Sequence, residues 1–158
     1  MKLNQVADEY YLSHDYKNLR QETKTHYEYC LNSALATPVE GVVIGEVDCT
    51  KLSTKQAKLA YDIWCDRGIS TANHIMAMAR ILYNYAMRME HCFINPFTVV
   101  RKRATKPRKI VWSKEDVTKL LDAAYSDFST RNIGLIAHMA YEWCQRVGDM
   151  RVLTWDAI

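Results

Sequence analysis

From Thr71 to about Met89 the apolar residues Ile75, Met78, Leu82, Tyr85 and Met89 fall in a single stripe at alternating spacings of three and four. That period predicts a long amphipathic helix with one face to bury, and such a face is satisfied only by packing against other elements. The chain supplies further helices. Leu3, Val6, Ala7, Tyr10 and Tyr11 predict a short first one ending near His14. Thr23 is placed to cap a second, whose inner face of Tyr27, Cys30, Leu31, Ala34 and Leu35 runs until Pro38. The segment GVVIGEVDCT reads as a loop with a short extended piece. Ser53 and Gln56 have the spacing of a capping box and open a third helix, with Ala57, Ala60, Tyr61 and Trp64 inward, which stops at Gly68. Asn95-Pro96 then marks a turn away from the long helix.

Four helices thus precede a basic run. Beyond it, Ser113 and Asp116 cap a helix bearing Val117, Leu120, Leu121 and Ala124. Ile133, Ile136, Ala137, Ala140, Tyr141 and Cys144 stripe another that leads to Arg146. The expected fold class is mainly α. With 49% apolar and 25% charged residues, five glycines and three prolines, disorder and collagen-like repeats are excluded. The five cysteines never form a C-x-x-C pair, and the five histidines show no ligand spacing, so neither a disulfide framework nor a metal site is expected. No apolar stretch approaches the roughly 18 residues that span a bilayer, and no export signal precedes the first helix; no membrane partner and a reducing cytoplasm are the expectation.

The net charge of +3 conceals an asymmetry: six of the 21 basic residues, Arg101, Lys102, Arg103, Lys106, Arg108 and Lys109, lie in RKRATKPRK, which holds no acid. Charge concentrated in this way gives a local field that phosphates feel. If all six met phosphates, the log affinity would fall with log salt at a slope of about −5.

Three stretches and a terminal box, in order, resemble the tyrosine recombinase (phage integrase) family. TKTHY keeps Thr23 and Tyr27 at the spacing found where that family's first long core-binding helix begins. GISTANHIMAMARILYNYAMRMEHCFINPF is similar to its next signature at Gly68, Ala72, Asn73, Arg80, Asn84, Ala86, Asn95 and Pro96. IVWSKEDVTKLLDAA resembles the opening helix of the catalytic domain. QRVGDMRVLTWDAI looks like the first arginine box, with Asp149 three residues after Arg146 and an apolar alternation of Leu153, Trp155 and Ile158. A Thr-Gly that often precedes the box is replaced here by Trp143, Cys144 and Gln145.

The resemblance implies a SAM-like four-helix core-binding domain over 1–100, a basic interdomain linker over 101–109, and a helical fragment of the catalytic domain over 110–158. It implies duplex DNA at attachment sites as the partner, self-association on DNA in the full-length enzyme, and a bacterial, nucleoid-associated location. Arg146 would hold the non-bridging oxygens of the attacked phosphodiester, because a planar guanidinium matches their geometry. Asp149 would orient that guanidinium or tie down the turn after it. The nucleophilic tyrosine, which joins DNA covalently without a cofactor or metal, is expected beyond Ile158 with the second arginine, since no tyrosine follows Tyr141; the chain alone is expected to be inactive. Lys24, Asn73 and Arg80 are candidate DNA contacts from the core-binding helices, with capping or plain solvation as their alternative. Two rivals stand beside an integrase fragment: a truncated DNA-binding remnant, and a helical protein-interaction module whose basic run meets an acidic partner.

Overall fold

The computed structural model describes residues 1–107, 109, 111–144, 146–152 and 154. Arg108, Gln145 and the alternation of Leu153, Trp155 and Ile158 lie outside the described residues. The chain is mainly α-helical, as its periodicity requires, and divides into two compact units, Met1–Lys106 and Pro107–Ile158.

The first unit is built around α5 (Ile69–Arg88), preceded by α1 (Leu3–Leu12), α2 (His14–Lys17), α3 (Gln21–Leu35) and α4 (Thr54–Cys65). The predicted stripe of α5 is buried at Ile75, Met78, Leu82 and Tyr85, and Ala72, Met76, Ala79, Tyr83 and Ala86 widen it, so the helix is covered on most sides by α1, α3 and α4. Met89 departs from the expectation: it follows the last helical residue and is exposed. The first helix ends at Leu12, close to the predicted end near His14, and a separate short helix follows. Ser13 adopts an extended conformation, donates its hydroxyl to the Tyr10 carbonyl (2.6 Å) and accepts the Tyr16 amide (3.3 Å), ending α1 and capping α2.

The second predicted cap is misplaced by one turn. Arg20 is the extended residue before α3, and Thr23 sits inside its first turn, so backbone conformation rather than side-chain chemistry sets this start. At the third the expectation holds: Ser53 Oγ accepts the Gln56 amide (3.1 Å) while Gln56 Oε1 accepts the Ser53 amide (3.0 Å). α4 ends at Cys65, before Gly68, whose role is to begin α5. Its φ of 112° is a backbone state that side-chain-bearing residues rarely adopt.

A small antiparallel hairpin pairs β1 (Pro38–Val39), ahead of the segment read as a loop, with β2 (Val42–Val43), the short extended piece expected within it, and a 3-10 turn follows at Ile44–Glu46. Glu40 (φ 50°) and Gly41 (φ 82°) form its two-residue turn, the primed geometry that suits strand twist. Next to the hairpin, buried Trp64 donates its indole N–H to Thr37 Oγ1 at 2.7 Å and stacks on Phe97 with ring centroids 5.9 Å apart. Phe97 also meets Tyr83 at 5.6 Å, so the chain leaving α5 is drawn back into the core.

The second unit contains α6 (Lys114–Ser126), α7 (Arg131–Trp143) and α8 (Val147–Arg151). The capping box of Ser113 and Asp116 is present, with 3.1 Å from the Asp116 amide to Ser113 Oγ and 3.0 Å from the Ser113 amide to Asp116 Oδ2. α6 and α7 approach closely where Ala124 faces Gly134. The predicted stripe of α7 is nevertheless not buried: Ile133 is 64% exposed and Tyr141 47%. Periodicity identified the helix correctly, but these helices alone leave that apolar face uncovered.

Candidate nucleic-acid interface

The basic run begins on the first unit, where a set of hydrogen bonds fixes the chain as it leaves α5. Asn95 is buried and uses its whole amide. Nδ2 donates to the Arg80 carbonyl (3.1 Å) and to Asn84 Oδ1 (2.8 Å), and Oδ1 accepts the Phe97 amide (3.0 Å). The Arg80 side chain then reaches over the next residues. Its Nε donates to the Phe97 carbonyl (3.0 Å), and one terminal nitrogen donates to the carbonyls of Val100 (2.6 Å) and Thr98 (3.4 Å).

Farther along, Arg103 is held at both ends of its backbone. Its amide donates to Tyr61 Oη (2.6 Å), that hydroxyl donates to Asn73 Oδ1 (2.7 Å), and Asn73 Nδ2 donates to the Arg103 carbonyl (2.9 Å). The Arg103 guanidinium pairs with Asp62 at 2.9 Å, and Asp62 is also met by Lys58 one helical turn away. Residues 97–103 are therefore stitched to α4 and α5 although they form no regular element. Sequence reasoning placed 101–103 in a linker, but backbone hydrogen bonds to side chains were not visible in its charge pattern.

Of the sequence-predicted contacts, Arg80 and Asn73 thus have intramolecular partners. Lys24 does too: its ammonium donates to the Lys17 carbonyl at the end of α2 (2.8 Å) and lies 5.9 Å from the centre of the Tyr16 ring. These three side chains have partners within the first unit, a role that the sequence reading, with DNA contact on one side and capping or solvation on the other, did not foresee. Arg101, Lys102 and Lys106 on that unit are exposed, as is Lys109 on the second, and among the described residues none of the four is paired with an acid. Tyr61 and Asp62 were missed as contributors. Tyr61 reads as one more inward residue of α4, and the only available signal was a hydroxyl at a position where phenylalanine would fill the same space.

In the second unit Cys144 ends α7 in the left-handed region (φ 52°), and Arg146 is the extended residue that starts α8. Arg146 is thus on the turn between the two helices, not on α7. It is exposed, and its carbonyl accepts the amides of Asp149 (2.9 Å) and Met150 (3.1 Å). The bond at Asp149 is a backbone one that any residue at this helix start makes, and among the described residues the Arg146 and Asp149 side chains form no ion pair.

Among the described residues no three His, Cys, Asp or Glu side chains are grouped to hold a metal ion, and no helix is long and apolar enough to cross a membrane. No protein-family model matches the sequence. No curated protein matches it either. Solved structures do. A lambda integrase dimer bound to a COC' core site superposes with a TM-score of 0.82 at 21% identity, over 100% of this chain and 43% of that one. The Tn1549 transposon integrase in complex with circular intermediate DNA gives 0.77 at 16% identity, over 99% of this chain and 50% of that one. The chain spans half or less of the structures it matches, and over that span it has the fold of these two tyrosine recombinases.

Proposed function

We propose that this chain is the DNA-gripping part of a site-specific recombinase of the phage integrase type, with a core-binding domain, a basic connection and the beginning of a catalytic domain. The observation that carries the reading is the fold match across the whole chain to two integrases solved on DNA. The exposed, acid-free run that starts on the first unit supports it. Arg101, Lys102, Lys106, Arg108 and Lys109 neutralise backbone phosphates, a contact that binds any duplex and sets the register without reading sequence. Arg103 joins them by exchanging Asp62 for phosphate.

In the whole enzyme Arg146 contacts the non-bridging oxygens of the attacked phosphodiester, where charge accumulates in the transition state. Its place at an exposed helix start suits that role, because nothing described nearby neutralises it. Asp149 supports the turn. Cutting and rejoining belong to the whole enzyme, and the part of that activity proposed for this chain is binding attachment-site DNA.

The test is a fluorescence-anisotropy titration against duplex DNA over a salt series, with a variant in which the basic residues of 101–109 are neutralised. Salt-sensitive binding that the variant loses is the expected result. A folded chain that shows no binding at low salt refutes the reading in favour of a protein-interaction module.

A further inference from the structure

We infer that Tyr61 and Asn73 are positioning residues for phosphate binding, fixing the path of the basic run by clasping the backbone of Arg103; this rests on the proposed DNA-binding role. The clasp is closed on both sides. The Arg103 amide has Tyr61 Oη as its acceptor at 2.6 Å, the Arg103 carbonyl has Asn73 Nδ2 as its donor at 2.9 Å, and the 2.7 Å bond from Tyr61 to Asn73 joins the two arms. The arms come from different helices, Tyr61 from α4 and Asn73 from α5, so the irregular segment is registered against both. The Arg103–Asp62 pair at 2.9 Å adds a side-chain tether at the same residue. Arg101 and Lys102, between this clasp and the Arg80 bonds to residues 97–100, are held at both flanks and yet exposed.

A flexible basic segment loses conformational freedom when it settles on a phosphate track, whereas a clasped one has lost it already on folding. Tyr61 is suited to separate this effect from direct contact, since at 1% exposure it cannot itself touch DNA. Any change in DNA affinity on removing only its hydroxyl acts through the segment it holds.

The experiment compares the whole chain with Tyr61→Phe, Asn73→Ala and Lys102→Ala by anisotropy on duplex DNA across a salt series, with amide hydrogen exchange at Arg103. For Tyr61→Phe the expected result is binding weaker by about five- to tenfold at every salt concentration, with the salt slope unchanged because the same phosphates are met. Exchange at the Arg103 amide is faster. Lys102→Ala, by contrast, reduces the slope by about one. If Tyr61→Phe lowers the melting midpoint enough to populate unfolded chain, Asn73→Ala, which cuts the other arm at a half-buried position, is expected to show the same parallel shift. A wild-type chain that binds with salt sensitivity, together with either folded variant binding equally well, overturns the positioning role while leaving the DNA-binding reading intact. A loss of slope in the Tyr61 or Asn73 variant also overturns it, by assigning them to a lost phosphate contact. A wild-type chain that does not bind removes the proposed function itself.

Discussion

Replacing Arg80 by methionine tests whether its guanidinium serves the fold or the ligand. The substitution keeps an unbranched apolar stem and removes bonds to the carbonyls of Phe97 (3.0 Å), Val100 (2.6 Å) and Thr98 (3.4 Å). The longest is marginal, so two good charge-assisted bonds are lost. Bonds to charged groups contribute about 1.5–3 kcal/mol each; the guanidinium is only partly buried, which places the pair at the low end, near 3 kcal/mol together. In a domain the size of the first unit, 1 kcal/mol moves the midpoint by about 4–8 °C. Arg80→Met is therefore expected to lower the unfolding midpoint of that unit by roughly 12–24 °C and to speed hydrogen exchange at the Thr98 and Val100 amides, followed by calorimetry and exchange mass spectrometry. A midpoint within 2–3 °C of wild type, coupled with a DNA-binding salt slope smaller by about one, refutes the clasp and places the guanidinium on phosphate.

Thr37→Val strands the buried Trp64 indole N–H and is expected to cost about 1–3 kcal/mol in urea unfolding, because an orphaned buried donor loses its full solvation. Tyr83→Phe has the opposite expectation: the Tyr83 hydroxyl is buried and has no hydrogen-bond partner among the described residues, so the same assay should read no loss or a gain of up to about 1 kcal/mol. At Gly134 a Cβ would lie 2.9 Å from the Ala124 Cβ, so Gly134→Val is expected to force α6 and α7 apart, seen as lost exchange protection in those helices with the first unit unchanged. The Ser113 amide and hydroxyl hold the Asp116 carboxyl below its ordinary value of 3.8. With the folded value depressed, this cap contributes above pH 3.8 and its contribution is lost as pH falls through the folded value. Exchange at the start of α6 should rise in that acid window in the wild type, and Asp116→Asn should flatten the dependence.

The helices of the first unit were legible because each carries a stripe that its neighbours bury, and Ser53 with Gln56 announced one start outright. The end of the first helix near His14 was legible too, but the short α2 behind it was not, since its four residues hold one buried side chain, Tyr16, and show no period. The hairpin at 38–43 is too short for alternation to register, and its turn rests on Glu40, a residue seldom found at positive φ. At the candidate site the basic charges were read from composition, as exposed groups are. The clasp depends on residues far apart in sequence, 61 and 73 against 103, and polar atoms of inward-facing residues carry no periodic signal.

The two units show what periodicity leaves undetermined. Ile75 and Ile133 occupy equivalent places in helical stripes, yet the first is fully buried and the second 64% exposed. A stripe records that a face is apolar; only the other elements decide whether it is covered. In the first unit α1, α3 and α4 surround α5, and the polar clasp around Arg103 is built on the rigid surface that results. In the second, two principal helices touch along small residues at Ala124 and Gly134, and the large apolar groups Trp112, Leu135, Trp143 and Val147 remain at the surface. Such a face lowers its free energy by gaining a cover. Arg146, at the α7–α8 turn between Trp143 and Val147 in the chain, is exposed, and among the described residues its guanidinium has no ion-pair partner to aim it. The first unit holds residues 97–103 in place from its own contacts, while any arginine that must be aimed closely requires a packed shell behind it. On the proposed reading, gripping DNA rests on contacts the first unit makes for itself, and chemistry at Arg146 is a matter for the whole enzyme.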